Sequence, residues 1–402
     1  MNTIPPCLPP HITSEQFLAE YWQKKPLLIK QGLPQLIGMF EPDDILGLTL
    51  DEEASARLIK QTAKPNISHP TTESDCQNKH QWQLKQSPLT ESDFDNLPEQ
   101  WTTLVQNMEQ WSPELGQLWH AFDFIPQWQR DDIMVSFAPA GGSVGKHYDD
   151  YDVFLAQGYG HRRWQLGKYC DENTEFVPNQ PIRIFDDMGE IIFDEVLEVG
   201  DVLYVPPKLS HNGIAQDDCL TFSFGFRRPN LMQILDSLTD VATSESKLFI
   251  PMLLPQGLQP SGKLGDDSID AIKSQLIAML NSPLGDELLS QAVSESVSKR
   301  QYDILTPEEQ LTTDEVSECL ANGATLQIDY SSRLIYRKVD KSSKEKTLIY
   351  ANGQPITELE ELESQLLARL ADGEALTQAE LHGIDIDSVM EWLENGWVWL
   401  DF

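Results

Sequence analysis

The spacing of apolar side chains divides the chain into three textures. From Thr13 to about Leu50 the pattern is helical, with Ser14 as N-cap before Phe17, Leu18 and Tyr21. Gln61–Asp95 is rich in Ser, Thr, Asn and Gln and reads as loop around one strand, Gln81–Leu84. Thr102–Phe122 returns to helical spacing through Leu104, Met108, Leu115 and Leu118. Between Ile133 and Pro229 the texture changes to short β-branched and aromatic runs punctuated by Gly, Pro and Asp: Met134–Phe137, Asp152–Gln157, Arg163–Leu166, Ile191–Leu197, Val202–Val205 and Leu220–Phe226. That density predicts an antiparallel β-barrel or sandwich.

Beyond Pro229, Leu231–Val241 and Ile269–Leu284 predict helices joined by the Pro/Gly/Asp-rich stretch Pro251–Asp267. From Thr306 the pattern predicts helices at Thr313–Ala321, Ile356–Leu370 and Ile386–Asn395. It also predicts Thr325–Tyr330 paired with Arg333–Lys338, then strands at Thr347–Ala351 and Trp397–Asp401. This order suggests a winged-helix-like module. The expected organisation is an α+β chain with a catalytic domain over 1–229 (β core about 131–229), a helical region over 230–305 and a winged-helix-like domain over 306–402.

Charge narrows the partners. Among 402 residues, 29 Lys and Arg face 64 Asp and Glu, a formal net charge of −35. Such a chain broadly repels nucleic acid and anionic lipid, which leaves a basic protein partner or a host whose proteins are all acidic. From Thr306 to Phe402, 7 basic residues face 20 acidic ones, a net −13, the opposite of a DNA-reading winged helix. A protein-contact role fits better. Five scattered cysteines without CxxC spacing read as reduced thiols, and no signal peptide or membrane span is evident. The expected location is the cytoplasm.

The run Gly141-Gly-Ser-Val-Gly-Lys-His147-Tyr-Asp149-Asp150-Tyr-Asp152 carries the chemistry. A strand starting near His147 would place His147 and Asp149 on one pleated face, with Asp150 and Asp152 turned away or farther along. Gly200-Asp-Val-Leu-Tyr-Val-Pro-Pro207 reads as turn, buried strand and stop, followed by His211. Two histidines and one carboxylate form the facial triad of non-haem Fe(II) oxygenases, whose open positions receive a bidentate 2-oxo acid and O2. An HxD pair alone is common by chance, and His161 offers a three-histidine alternative. Arg162 and Arg163 are adjacent on one strand, so one should face inward, where a guanidinium would pair with the far carboxylate of the 2-oxo acid.

These features together resemble the bacterial Jumonji-C (cupin superfamily) ribosomal oxygenases, 2-oxoglutarate/Fe(II) arginine 3-hydroxylases of large-subunit ribosomal protein sixteen. The matching residues are Phe17–Ile29 (FLAEYWQKKPLLI), Asp131–Phe137, the Gly-rich lead into His147-x-Asp149, Tyr151–Gly158, Arg162–Trp164, and Gly200 through His211. The resemblance implies a double-stranded β-helix core and Fe(II) held by His147, Asp149 and His211. It also implies 2-oxoglutarate anchored by Arg162, with Ser136 as a second contact, and O2 as co-substrate. Tyr159 would stack on the substrate arginine, with Asp150 or Asp152 seating its guanidinium. The helical region would mediate a homodimer, with a large-subunit ribosomal protein as substrate. Lys64–Lys79 is longer than the family pattern. Histidine hydroxylation, lysyl demethylation and a non-catalytic metal-binding cupin are the competing readings.

Overall fold

A computed structural model describes residues 4–63, 80–255, 262–302, 304, 311–341 and 344–402. Contacts divide the chain into two compact units, Met1–Arg227 and Arg228–Phe402. The polar stretch Lys64–Lys79, with His69 and Cys76, lies outside the described residues.

The first unit opens with α1 (Ser14–Glu20), β1 (Leu27–Ile29) and α2 (Pro42–Leu48), not one continuous helical region. Pro26, Gly32 and Pro34 account for the interruptions. The cap of α1 is Thr13, one residue before the expected Ser14: its Oγ1 accepts from Gln16 N at 3.2 Å, and Gln16 Oε1 accepts from Thr13 N at 2.9 Å. Next come β2 (Ala56–Ala63), β3 (His80–Gln86) and β4 (Gln100–Val105), followed by the short α3 (Pro113–Gln117). The helix expected from Thr102 is therefore mostly absent. Residues 102–105 are buried continuously, as in an inner strand, and their apolar spacing mimics a helical face only by coincidence.

The β region is β5 (Arg130–Ala138), β6 (Asp152–Tyr159), β7 (Arg162–Tyr169), β8 (Phe193–Leu197), β9 (Val202–Val205), β10 (Leu209–Ala215) and β11 (Cys219–Phe226). Sequence patterning misses β10, which is polar and glycine-containing (LSHNGIA) yet buried along nearly its whole length. One antiparallel sheet runs β1-β9-β6-β11-β5-β4-β2-β3, and a smaller one runs β10-β7-β8. The two sheets form the double-stranded β-helix.

Apolar residues between them include Val153, Leu155, Trp164, Leu166, Leu203 and Leu209, all buried. On the outer face of the large sheet, Phe17, Phe122, Phe154 and Tyr204 pack with ring centroids 4.8–5.8 Å apart. Burying each such ring contributes about 1.5–3 kcal/mol. Tyr204 Oη donates to Asp152 at 2.5 Å and accepts from Gln23 N at 2.7 Å, tying the segment after α1 to the sheet. Asp152 is thus a buried structural acceptor and does not seat a substrate guanidinium.

The second unit begins with α4 (Leu231–Ala242), α5 (Asp266–Leu280) and α6 (Pro283–Ser298). The helix expected over Ile269–Leu284 ends before Ser282, whose side chain caps α6 by accepting from Gly285 N at 3.1 Å. Val241 of α4 packs against Leu288 and Ala292 of α6. There follow α7 (Thr313–Ala321), β12 (Thr325–Ile328), β13 (Leu334–Lys341), β14 (Lys344–Ala351), β15 (Gln354–Ile356), α8 (Glu361–Ala371), α9 (Ile386–Glu394) and β16 (Val398–Asp401). Strand pairing differs from expectation: β12 pairs with β16, and β13 with β14, because residues 329–333 break the ladder instead of forming a hairpin. Leu326, Leu367, Leu370 and Trp392 form the centre of this module's core.

Candidate metal and cosubstrate site

The glycine-rich run between β5 and β6 is a shaped connection, not the start of a strand. Gly145 has φ +88°, and a Cβ on Gly142 would lie 2.3 Å from the Trp101 carbonyl oxygen, so the chain can pass here only as glycine. His147 forms an isolated antiparallel bridge with His211 of β10. Its N–H donates to His211 O at 3.1 Å, and His211 N donates to His147 O at 2.8 Å. Two residues on, Asp149 O accepts from Lys208 N at 2.7 Å. The expected strand at His147 is absent, since β6 begins at Asp152, but these bonds hold the segment alongside β10.

The ligand atoms of His147, Asp149 and His211 consequently lie within 4.8 Å of one another. The histidine ring centroids are 4.2 Å apart, and His211 Nε2 is 3.5 Å from Asp149 Oδ2. Each ring is oriented by a backbone carbonyl: His147 Nδ1 lies 2.9 Å from Gly145 O and His211 Nδ1 3.0 Å from Leu209 O. A carbonyl only accepts, so both Nδ1 atoms carry the hydrogen and both Nε2 lone pairs face the cluster. Burial, reinforced by His147 nearby, pushes the His211 pKa down to about 4, keeping it a neutral ligand. Two residues that sequence reasoning missed support the loop. Ser143 Oγ donates to Asn212 Oδ1 at 3.1 Å and accepts from Gly145 N at 3.0 Å. Their only signals were a serine inside the glycine run and the position next to a ligand.

Arg162, first residue of β7, is 3% exposed, and its Nε and Nη2 have no hydrogen-bond partner among the described residues. Arg163 turns outward and pairs with Asp194 at 2.6 Å, settling which of the two faces inward. Strand alternation puts Arg162 and Trp164 on one face, opposite Ala215 and Gly213 on β10. The Trp164 ring centroid is 5.9 Å from that of His211 and 5.9 Å from the Arg162 guanidinium carbon. His211 and Ala215 are four residues apart, about 13 Å along a strand. A guanidinium side chain together with a five-carbon dicarboxylate suits that span. A buried cation with idle donors is costly unless an anion meets it, so the site fits a dicarboxylate anchored at one end beside a metal.

The remaining candidates are dispersed. Ser136 is buried on β5, its Oγ 3.4 Å from Thr221 O. Tyr159, at the end of β6, is partly exposed, and Asp150 is exposed beside Asp149. His161 is not drawn into the cluster; it pairs with Asp217 at 2.7 Å in an exposed turn. No helix among the described residues is long and apolar enough to cross a membrane.

Comparison with known proteins agrees with this geometry. Residues 117–234 match the JmjC domain family and residues 275–398 the ROXA-like winged helix. A probable ribosomal oxygenase of Haemophilus influenzae is 48% identical over 100% of this chain and 99% of its own length. The Escherichia coli ribosomal protein uL16 3-hydroxylase is 31% identical over 85% of this chain and 84% of its own. Among solved structures, the Escherichia coli ribosomal oxygenase YcfD in complex with cobalt and 2-oxoglutarate is 26% identical, with TM-score 0.74 over 98% of this chain and 99% of that one. With a metal-ligand cluster in a double-stranded β-helix, followed by a winged-helix module, the chain belongs to the JmjC ribosomal oxygenase family.

Proposed function

We propose that this enzyme hydroxylates the β-carbon of an arginine in the large-subunit ribosomal protein uL16. The observation that carries the reading is the His147–Asp149–His211 cluster on the same barrel interior as an unpaired, buried Arg162. Bound Fe(II) and 2-oxoglutarate supply the oxidative chemistry, with O2 delivering one oxygen atom to a C–H bond and the other to succinate as CO2 leaves.

The chain's own residues do the rest. His147 and His211 would offer Nε2 and Asp149 a carboxylate oxygen to the metal, a three-residue ligand set that leaves positions for the cosubstrates. Arg162 anchors the far carboxylate of 2-oxoglutarate, with Ser136 as a second, weaker contact. At the mouth, Tyr159 stacks on the substrate guanidinium and Asp150 supplies the opposing charge.

The helical region supports a homodimer: Leu231, Met232, Phe249, Ile250 and Leu253 are each more than 70% exposed, far more apolar surface than one segment of a solitary chain should show. A basic ribosomal protein suits a chain of net charge −35 and places the reaction in the cytoplasm, while the −13 module disfavours direct DNA binding. The test is mass spectrometry of uL16 after incubation with the enzyme, Fe(II) and 2-oxoglutarate. One oxygen on a single arginine, lost in His147→Ala, is expected. An oxygen on histidine, or none, overturns the reading.

A further inference from the structure

The winged-helix module has an open strand edge that the oxygenase chemistry does not use. In the described residues β16 pairs with β12 alone. Leu326 of β12 exchanges both backbone hydrogen bonds with Leu376, each 2.8 Å, on the side away from β16. Its pairing with Leu400 is therefore a non-hydrogen-bonded one, and so is that of Ile328 with Val398, two residues along. It follows that the N–H and C=O groups of Val398 and Leu400 point outward from the sheet. No backbone partner meets them among the described residues.

A groove of about 200 Å3 runs along this edge, between β16 and the end of α9. Met390, Leu393 and Leu400 line it, and Phe402, 86% exposed, forms its lip. Trp399, also in the lining, has a buried indole N–H without an acceptor among the described residues. Two carboxylates, Asp329 and Glu394, complete the wall. A strand edge beside a helix with an apolar floor is the geometry in which an extended peptide adds to a sheet, with alternate side chains entering a pocket. The volume suits one or two side chains; Asp329 is engaged by Ser331 N and Oγ, so the exposed Glu394 carboxylate is the one that favours a cationic residue beside them.

We propose that this groove captures an extended, basic segment of the ribosomal substrate protein by strand addition to β16, as a second point of attachment away from the residue being oxidised. The occupant rests on the substrate reading above. Charge selects it: the module's net −13 opposes nucleic acid, whereas a segment alternating basic and apolar residues satisfies the edge left unpaired among the described residues, the floor and Glu394 together.

The experiment compares whole uL16 with a short peptide carrying only its hydroxylated residue, using the full-length enzyme, Glu394→Lys and Phe402→Asp. Both substitutions are on exposed side chains. In each variant KM for whole uL16 is expected to rise roughly tenfold more than KM for the peptide. Hydrogen exchange should show the amides of Val398 and Leu400 becoming protected when uL16 binds the wild type. Equal KM changes for both substrates, or unprotected amides, overturn the proposal. Conversion of the variants to monomers would show a second copy of this chain in the groove and would equally overturn it. A wild-type enzyme that leaves uL16 unmodified defeats the substrate reading as well, whereas hydroxylation with unshifted KM defeats the groove alone.

Discussion

Replacing Arg162 by methionine should make the cosubstrate-free protein more stable while removing cosubstrate binding. The guanidinium is 3% exposed, and Nε and Nη2 have no hydrogen-bond partner among the described residues. Each unmet charged donor costs on the order of 1–3 kcal/mol, and an apolar side chain of similar length removes that cost. Against this, the Trp164 ring 5.9 Å away loses a cation–π contact worth about 0.5–1 kcal/mol. Two such donors less that contact leave a net gain of about 1–5 kcal/mol, or roughly 2–20 °C in Tm for a unit of this size.

Binding moves the other way. Two charge-assisted hydrogen bonds at about 1.5–3 kcal/mol each put the loss of 2-oxoglutarate affinity at roughly 10²–10⁴-fold. The assay is thermal unfolding of wild type and Arg162→Met, with Mn(II) replacing Fe(II) to prevent turnover, each with and without 2-oxoglutarate. Wild type should gain Tm with ligand and the variant should start higher and gain nothing. A variant that is less stable without ligand and still stabilised by it would refute Arg162 as the idle anchor.

Three other outcomes are expected. Adding a Cβ at Gly213 places it 2.7 Å from Trp164 Cη2, so Gly213→Ala should destabilise by about 1–3 kcal/mol in denaturant melts; an unchanged midpoint would show that the ring yields freely. The His211 pKa is depressed to about 4, so between its ordinary value and that point the unfolded chain binds the extra proton. Metal-free protein should therefore lose up to roughly 3 kcal/mol as pH falls from about 7 toward 4, and a flat pH profile of stability would contradict the burial argument. Finally, if the proposed homodimer forms through this region, wild type should be a dimer by light scattering and Leu231→Glu with Leu253→Glu a monomer; a wild-type monomer or a dimer that persists in the variant would overturn that interface.

The site was more legible than the frame around it. His147, Asp149 and His211 carry their identity in residue type and spacing, because metal ligation tolerates few alternatives. Six strands announced themselves by β-branched and aromatic runs. Strand β10 did not: LSHNGIA is composed for ligation and for close packing against Trp164, and such demands erase hydrophobic alternation. Thr102–Val105 failed for the opposite reason, since a strand buried on both faces shows no period of two. The pairing of β12 with β16 joins residues about 70 positions apart, and local propensity contains no information about partners at that distance. Ser143 and Asn212 were invisible because their hydrogen bonds, to each other and from Gly145 N to Ser143, only shape the loop.

The bridge between His147 and His211 has one more consequence. It is a pair of backbone hydrogen bonds between chain positions 64 residues apart, flanked only by the Lys208–Asp149 bond on one side and two bonds linking Gly141 and Gly142 with Ala215 on the other, with no continuous strand on the His147 side. A metal ion bound to both side chains would be a clasp across that long loop, worth more to the chain the more entropy the open loop holds. Metal loading should then add to the closure that the β7–β10 ladder already makes. A nascent chain that has synthesised β5 through β9 but not β10 has two of the three ligands, and the cell's iron supply would act on how much of this enzyme finishes folding as well as on how fast it turns over.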